Sequence, residues 1–209
     1  MRNIPTIIFI NKLDREGKDA FDLLDEIEQK LDLKVTPLSL PIGMGYDFKG
    51  IFNIWEQNIQ LFSDEQKQTI GKKLTFNSIS DPKLEKAIGS AHLELLKEEL
   101  ELIEAVYPKF NKKAYLDGKL NPVLFGSALN NFGIEELLNC FVEIAPEPLP
   151  KVSEERMVSP DEKKFSGFVF KIHANMDPNH RDRLAFVKIV SGTFERNTPY
   201  LHVLSLIHI

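Results

Sequence analysis

The sequence predicts an α/β fold with an inserted α+β subdomain, followed by the start of a β-barrel domain. Two units of the form strand, polar loop and helix lie near the two ends of the first 146 residues, which is typical of an α/β sheet. Between them, short alternating strands and a long amphipathic helix indicate an insertion. After a proline-rich stretch at 145–150, only short strands follow, which indicates a barrel or a sandwich.

These changes of pattern predict the domain limits. The α/β part covers 1–34 and 111–146, the insertion 35–110, a linker 147–164, and the second domain 165–209.

Composition narrows the class of protein. The 209 residues are 43% hydrophobic and 27% charged, as in ordinary globular proteins. The net charge of −5 argues against nucleic-acid binding driven by the charge of the whole surface, and leaves open a local basic patch. The single cysteine, Cys140, allows no internal disulfide, which fits a reducing cytoplasm. The apolar runs are far shorter than the roughly 20 residues of a membrane span. We therefore expect a cytoplasmic protein with no DNA or membrane partner. We also expect the protein to be a monomer.

The first strand is predicted at residues 6–10, a short apolar run rich in β-branched side chains. Asn11, Lys12 and Asp14 follow it, and ligands bind at this end of strands in open α/β sheets. A carboxylate at Asp14 can accept from both N1–H and N2–H of guanine, whereas adenine offers no such pair of donors. Lys12 can cover the base with its methylene stem, and the Asn11 amide can fix the loop. The pattern alone leaves open a plain polar turn.

The elements after this loop follow from spacing and capping signals. A helix is predicted at 19–31, with Asp19 as its cap, and it completes the first unit. In the insertion, residues 35–40 alternate like one strand, and 50–55 pairs with 58–62 as a hairpin. One long helix is predicted from Asp81–Pro82 to Val106.

The second unit begins with a buried strand at 121–126 and continues into Ser127, Ala128 and Leu129. Small residues after a strand let backbone N–H groups approach a ligand carbonyl, here O6 of guanine. A helix follows at 134–144. Its inward residues are predicted to be Leu137, Leu138, Phe141 and Val142, and Cys140 to be a core residue.

The last part of the chain predicts strands at 165–172, 184–190 and 200–204. The five histidines lack the spacing of metal ligands, so we expect no metal site formed by them.

Through its two loops and these strands, the chain resembles the translational GTPases. The motifs are Asn11-Lys12-Leu13-Asp14 and Gly126-Ser127-Ala128-Leu129. Within that group the stretches 165–172 and 174–186 resemble most closely the second domain of the bacterial peptide chain release factor 3 family. Elongation factor G has a shorter hairpin there.

The resemblance implies a ribosome-associated GTPase that promotes dissociation of class I release factors after peptide release. It implies GTP or GDP as ligand, with Mg²⁺ in the full-length parent. Contacts to guanine would come from Asn11, Lys12, Asp14, Ser127, Ala128 and Leu129. The sheet would be the C-terminal half of a P-loop GTPase sheet, without catalytic residues. Loop 177–183 would face the ribosome, or be a solvated hairpin tip.

Two departures limit what the resemblance implies. No Gly-x-x-x-x-Gly-Lys-Ser/Thr occurs in the sequence, and residues 204–209 differ from the family's polar continuation. Without a phosphate cradle, phosphoryl transfer loses most of its stabilisation. We therefore expect a fragment that hydrolyses no GTP alone. An elongation factor G-like translocase and a non-catalytic ribosome- or protein-binding module remain as alternatives.

Overall fold

A computed structural model describes residues 4–61, 74–76, 78–154, 156–174 and 183–208. The chain divides into two compact units, Met1–Pro146 and Glu147–Ile209.

The first unit contains the following elements in chain order: β1 (Ile8–Ile10), α1 (Ala20–Leu31), β2 (Val35–Pro37), β3 (Ser39–Ile42), β4 (Gly50–Asn53), β5 (Asn58–Leu61), β6 (Leu74–Phe76), α2 (Pro82–Ile88), α3 (Ser90–Val106), α4 (Lys112–Leu116), β7 (Asn121–Phe125) and α5 (Ile134–Ile144).

A parallel sheet positions the two predicted loops. Its strand order is β1-β7-β2, so β7 is the central strand, and it is buried throughout. A central parallel strand is covered on both faces, which explains the continuous apolar run. The strands predicted at 6–10 and 121–126 are confirmed, each slightly shorter than predicted.

The single strand predicted at 35–40 is wrong, because the chain changes sheets there. Residues 35–37 pair in parallel with β7, whereas residues 39–42 pair antiparallel with β4. Leu38 joins the two sheets: its N–H donates to Val123 at 2.8 Å, and its carbonyl accepts from Ile54 at 2.8 Å. All these positions are buried, so alternation of polarity carried no information about the change of sheet.

An antiparallel sheet of order β3-β4-β5-β6 follows. Pairing of β4 with β5 confirms the predicted hairpin, although Phe62 lies outside the described residues. Pro41 lies in β3 at the edge of the sheet, where its missing N–H costs no ladder bond. Strand β6 was not predicted.

The long helix predicted from 81 to 106 is two helices. Asp81 caps the first as predicted, accepting the Lys83 N–H at 2.8 Å, with Pro82 at the first helical position. Gly89 ends that helix with φ 86° and ψ 156°, a conformation outside any helix. At the other predicted helix, Asp19 caps α1 by accepting from Phe21 at 2.8 Å.

The helix predicted at 134–144 is confirmed as α5, but most of its predicted inward face is wrong. Leu138, Phe141 and Val142 are exposed by 56%, 54% and 80%. The buried side chains are Glu136, Cys140 and Ile144, with Leu137 packed beside them. Apolar residues occupy most of this helix's circumference, so packing against β7 rather than the sequence pattern selects the face.

Two hydrophobic clusters cover the two faces of the parallel sheet. Val123 and Phe125 of β7 belong to the larger cluster, together with Leu13 and the buried residues of α1, α2 and α3. Leu124 belongs to the smaller cluster with Cys140, as expected for a strand whose side chains alternate between faces. The predicted core position of Cys140 is confirmed.

The second unit contains only strands among its described residues: β8 (Lys151–Val152), β9 (Met157–Val158), β10 (Ser166–Ala174), β11 (Arg183–Ser191), β12 (Leu201–His202) and β13 (Ile207–His208). The pairs β8–β9, β10–β11 and β12–β13 are all antiparallel. The strands predicted at 165–172 and 184–190 are confirmed as β10 and β11. Most of loop 177–183 lies outside the described residues, and the domain limits stay predictions.

Candidate functional site

The register of the parallel sheet brings the two predicted loops together. Ile10 and Phe125 are paired, so β1 and β7 end side by side. The pairing continues past the strands, because Gly126 N–H donates to the Ile10 carbonyl at 2.9 Å and Leu13 N–H donates to Gly126 at 3.2 Å. Loop 11–14 and loop 126–132 therefore start at the same edge of the sheet.

Asn11 forms the first side-chain link between the loops. Its Oδ1 accepts from the backbone N–H of Ala128 at 2.9 Å and from that of Lys12 at 2.8 Å. Lys12 has φ 75°, which a non-glycine residue seldom adopts. The Asn11 amide holds this unusual turn and ties it to the second loop.

Asp14 and Ser127 form the second link. The Ser127 hydroxyl donates to Asp14 Oδ1 at 2.5 Å, and Asn130 Nδ2 donates to the Ser127 oxygen at 3.3 Å. Ser127 is completely buried, whereas Asp14 is partly exposed. A carboxylate has about four acceptor positions, so one bond from Ser127 leaves capacity to bind a ligand.

The second loop is closed by its own backbone. Ser127 and Phe132 exchange two hydrogen bonds, each of 2.9 Å. Gly126 is required beside this closure, because an added Cβ would lie 2.1 Å from the Phe132 carbonyl oxygen and 2.7 Å from the Phe9 ring.

The structure thus brings together Asn11, Asp14, Ser127 and Ala128 of the predicted site. Lys12 and Leu129 are exposed, Leu129 by 81%, and no described hydrogen bond of the site uses their side chains. Sequence reasoning did not include Gly126 and Asn130 among the site residues. The small residue between strand and serine was a usable signal for Gly126, but Asn130 had none, because its contact depends on the closure of the loop.

The one thiol of the chain is not part of this site. Burial, with the charges of Glu143 and Glu56 adding to it, raises the pKa of Cys140 to about 12. The thiol is therefore protonated at neutral pH, which removes its nucleophilic form.

Among the described residues, no three His, Cys, Asp or Glu side chains group as metal ligands do. No helix in the described ranges has the length and apolar character needed to cross a bilayer.

The fold and the paired loops define a class: an α/β protein in which two strand-to-helix loops meet at one edge of a parallel sheet. Comparison with known families gives the particular group. The model of the elongation factor Tu GTP binding domain matches residues 1–147, and that of elongation factor G domain 2 matches residues 164–207. The chain belongs to the translational GTPase family, whose members are GTP-binding translation factors. The second match includes residues 204–207, which the sequence predicted to differ from the family.

Proposed function

We propose that loops 11–14 and 126–132 form the guanine pocket of a ribosome-dependent translational GTPase. In this pocket Asp14 accepts from N1–H and N2–H of the base, and Lys12 covers one base face with its methylene stem. Ser127 orients Asp14, and Ala128 and Leu129 complete the wall at O6. Before the base binds, Asn11 holds the two loops together.

The observation that carries this proposal is the pair of links between the loops. The Ser127 bond to Asp14 at 2.5 Å fixes the carboxylate, and the Asn11 bond to Ala128 at 2.9 Å fixes the neighbouring backbone. An acceptor held in place before the ligand arrives loses little entropy on binding. An adenine base would leave the held carboxylate without its donors, which penalises the wrong nucleotide.

Recognition of O6 requires one exchange of partners. The Ala128 N–H donates to Asn11 in the structure, so O6 of guanine would replace the Asn11 oxygen as its acceptor. Asn11 would still accept from Lys12 and keep the turn at φ 75°.

Binding of the phosphates needs groups other than those that bind the base. The sequence contains no Gly-x-x-x-x-Gly-Lys-Ser/Thr, and no three His, Cys, Asp or Glu side chains of the described residues group as metal ligands do. We propose that these 209 residues select the base and hydrolyse no GTP by themselves, while GTPase activity belongs to the full-length parent protein.

The proposed cellular role is release of class I release factors from the ribosome after termination, by a monomeric cytoplasmic factor. The stretch 165–186 supports it through its resemblance to the release factor 3 family. An elongation factor G-like translocase is the second candidate, favoured by the match of residues 164–207 to elongation factor G domain 2.

Nucleotide titration tests the pocket. GDP should bind at least about 100-fold more tightly than ADP, as expected when a buried polar group loses its partners. Asp14→Asn should lose GDP affinity and gain affinity for xanthosine diphosphate, because an amide donor then meets the carbonyl at C2. Equal binding of GDP and ADP by the unmodified chain would refute the pocket.

Ribosome assays separate the two cellular roles. The chain should co-sediment with ribosomes that carry a class I release factor. An excess of the chain should inhibit dissociation of that factor from the ribosome. If the chain inhibits translocation but not dissociation of the release factor, the elongation factor G-like role is favoured instead.

A further inference from the structure

A short segment of the insertion contacts both base-recognition loops. We name residues 43–49 the bridge segment, and we propose that it positions the two loops for base recognition, an inference that rests on the proposed function. The sequence predicts a turn here within the insertion, and no contact with either loop.

The first contact is with loop 11–14. Gly45 N–H donates to the Leu13 carbonyl at 3.0 Å, while the Leu13 N–H donates to Gly126 at 3.2 Å. Leu13 is therefore held by its backbone from both sides. The bridge segment comes so close that a Cβ on Gly45 would lie 2.7 Å from Cγ of Glu16.

The second contact is with loop 126–132. The rings of Phe48 and Phe132 are stacked, with centroids 5.4 Å apart and planes at 27°. Phe132 is the residue whose backbone closes the loop on Ser127, and Ser127 in turn donates to Asp14. A path of direct contacts therefore runs from Phe48 to the carboxylate proposed to bind guanine.

The bridge segment is itself held in place. Lys49 N–H donates to Ile42 at 2.8 Å, which closes the segment on itself. The Asp47 carboxylate accepts from His92 of α3 at 2.7 Å, and Lys49 lies 3.4 Å from the same carboxylate. The hydrogen bond from His92 holds the pKa of Asp47 below its usual value. The segment is thus a fixed support between α3 and the loops.

The test uses Phe48→Leu and Phe132→Leu in the full 209-residue chain, with Phe48→Tyr as the conservative variant that keeps the ring. The matched control is Phe110→Leu, which removes a ring contact to Trp55 at 5.0 Å in the smaller core cluster, among residues outside both loops. If Phe48→Leu does not fold, Phe132→Leu carries the same test.

The first readout needs no nucleotide. Amide hydrogen exchange of Leu13, Ser127 and Phe132 should accelerate in both loop variants but not in Phe110→Leu or Phe48→Tyr. Unchanged exchange at these amides would overturn the inference, whether or not the chain binds GDP.

The second readout is GDP affinity, measured on the folded fraction. Phe48→Leu and Phe132→Leu should each weaken it about threefold to tenfold, in line with the strength of an aromatic pair, and the double variant should be no weaker than the worse single variant. Faster exchange with unchanged GDP affinity would also overturn the inference. An unmodified chain that binds no GDP refutes the proposed pocket instead, and the exchange result then still decides whether the segment holds the loops.

Discussion

The two loops of the candidate site reach the same sheet edge by different means. Loop 11–14 is anchored in the core by a side chain, in addition to its backbone bonds, because Leu13 is only 2% exposed and lies in the larger core cluster. Loop 126–132 is anchored by its backbone, through the close approach at Gly126 and the paired bonds between Ser127 and Phe132.

This difference explains why the first loop was easier to recognise from the sequence than the second. In the first loop, three polar residues and one buried leucine occur within four positions, so the residue types themselves indicate a site. In the second loop, backbone atoms make most of the contacts, and many sequences can provide them. Side-chain anchoring leaves a motif in the sequence, whereas backbone anchoring leaves little beyond a glycine.

The largest expected effect is at the side-chain anchor. Leu13→Ala should lower the free energy of unfolding by about 3 kcal/mol, because it loses apolar burial and leaves a cavity. Urea denaturation measures the change. Leu138→Ala, at a position 56% exposed, is the control and should cost less than about 1 kcal/mol. Equal costs would show that Leu13 does not anchor its loop.

Loop 126–132 should be destabilised when a side chain is enlarged rather than when one is shortened, because closely packed backbone atoms make its contacts. Gly126→Ala should cost about 2 kcal/mol and weaken GDP binding, because its Cβ would lie 2.1 Å from the Phe132 oxygen. Gly17→Ala is the matched control, since the nearest atom, Sδ of Met44, would be 3.8 Å from its Cβ. A harmless Gly126→Ala in thermal unfolding would contradict the close approach.

A double-mutant cycle measures the link between the loops. Ser127→Ala and Asp14→Ala should show a coupling of about 1 kcal/mol, the usual value for a hydrogen bond to a partly exposed carboxylate. Additive effects in denaturant titrations would mean that the 2.5 Å contact contributes nothing to stability.

The smallest expected effect is a change in the pH dependence of stability, and it concerns Glu99 of α3. Burial, and then the charge of Asp19 at the cap of α1, raises the pKa of Glu99 to about 7 from its ordinary 4.5. The folded state therefore binds this proton more tightly, so the contribution to stability is complete below pH 4.5 and is lost as pH rises through 7.

Glu99→Gln should accordingly reduce the loss of stability between pH 5 and pH 8. The difference should stay below about 1 kcal/mol, because Glu99 is partly exposed and solvent screens its charge. Melting temperatures at both pH values provide the measurement, with Glu98→Gln on the exposed side of α3 as control. An identical pH dependence in Glu99→Gln and the unmodified chain would argue against the raised pKa.

The sequence predicted the start of a helix well where a single capping residue determines it. Asp19 and Asp81 both cap helices as predicted, because a short carboxylate can satisfy the first free N–H groups of a helix. The predictions failed where two structures satisfy the same pattern. Gly89 splits one predicted helix, and Leu38 splits one predicted strand between two sheets.

The sequence by itself determined the two strand–loop–helix units and the chemical character of their loops, because local spacing and residue type decide these features. It also provided Asn11, Asp14 and Ser127 as candidates for one guanine pocket. Only the tertiary structure decided that Ser127, 113 positions after Asp14, donates to it, and that Phe48 of the insertion stacks on Phe132. Such contacts depend on strand register and sheet packing. The local sequence around each residue does not indicate which distant residue it will contact.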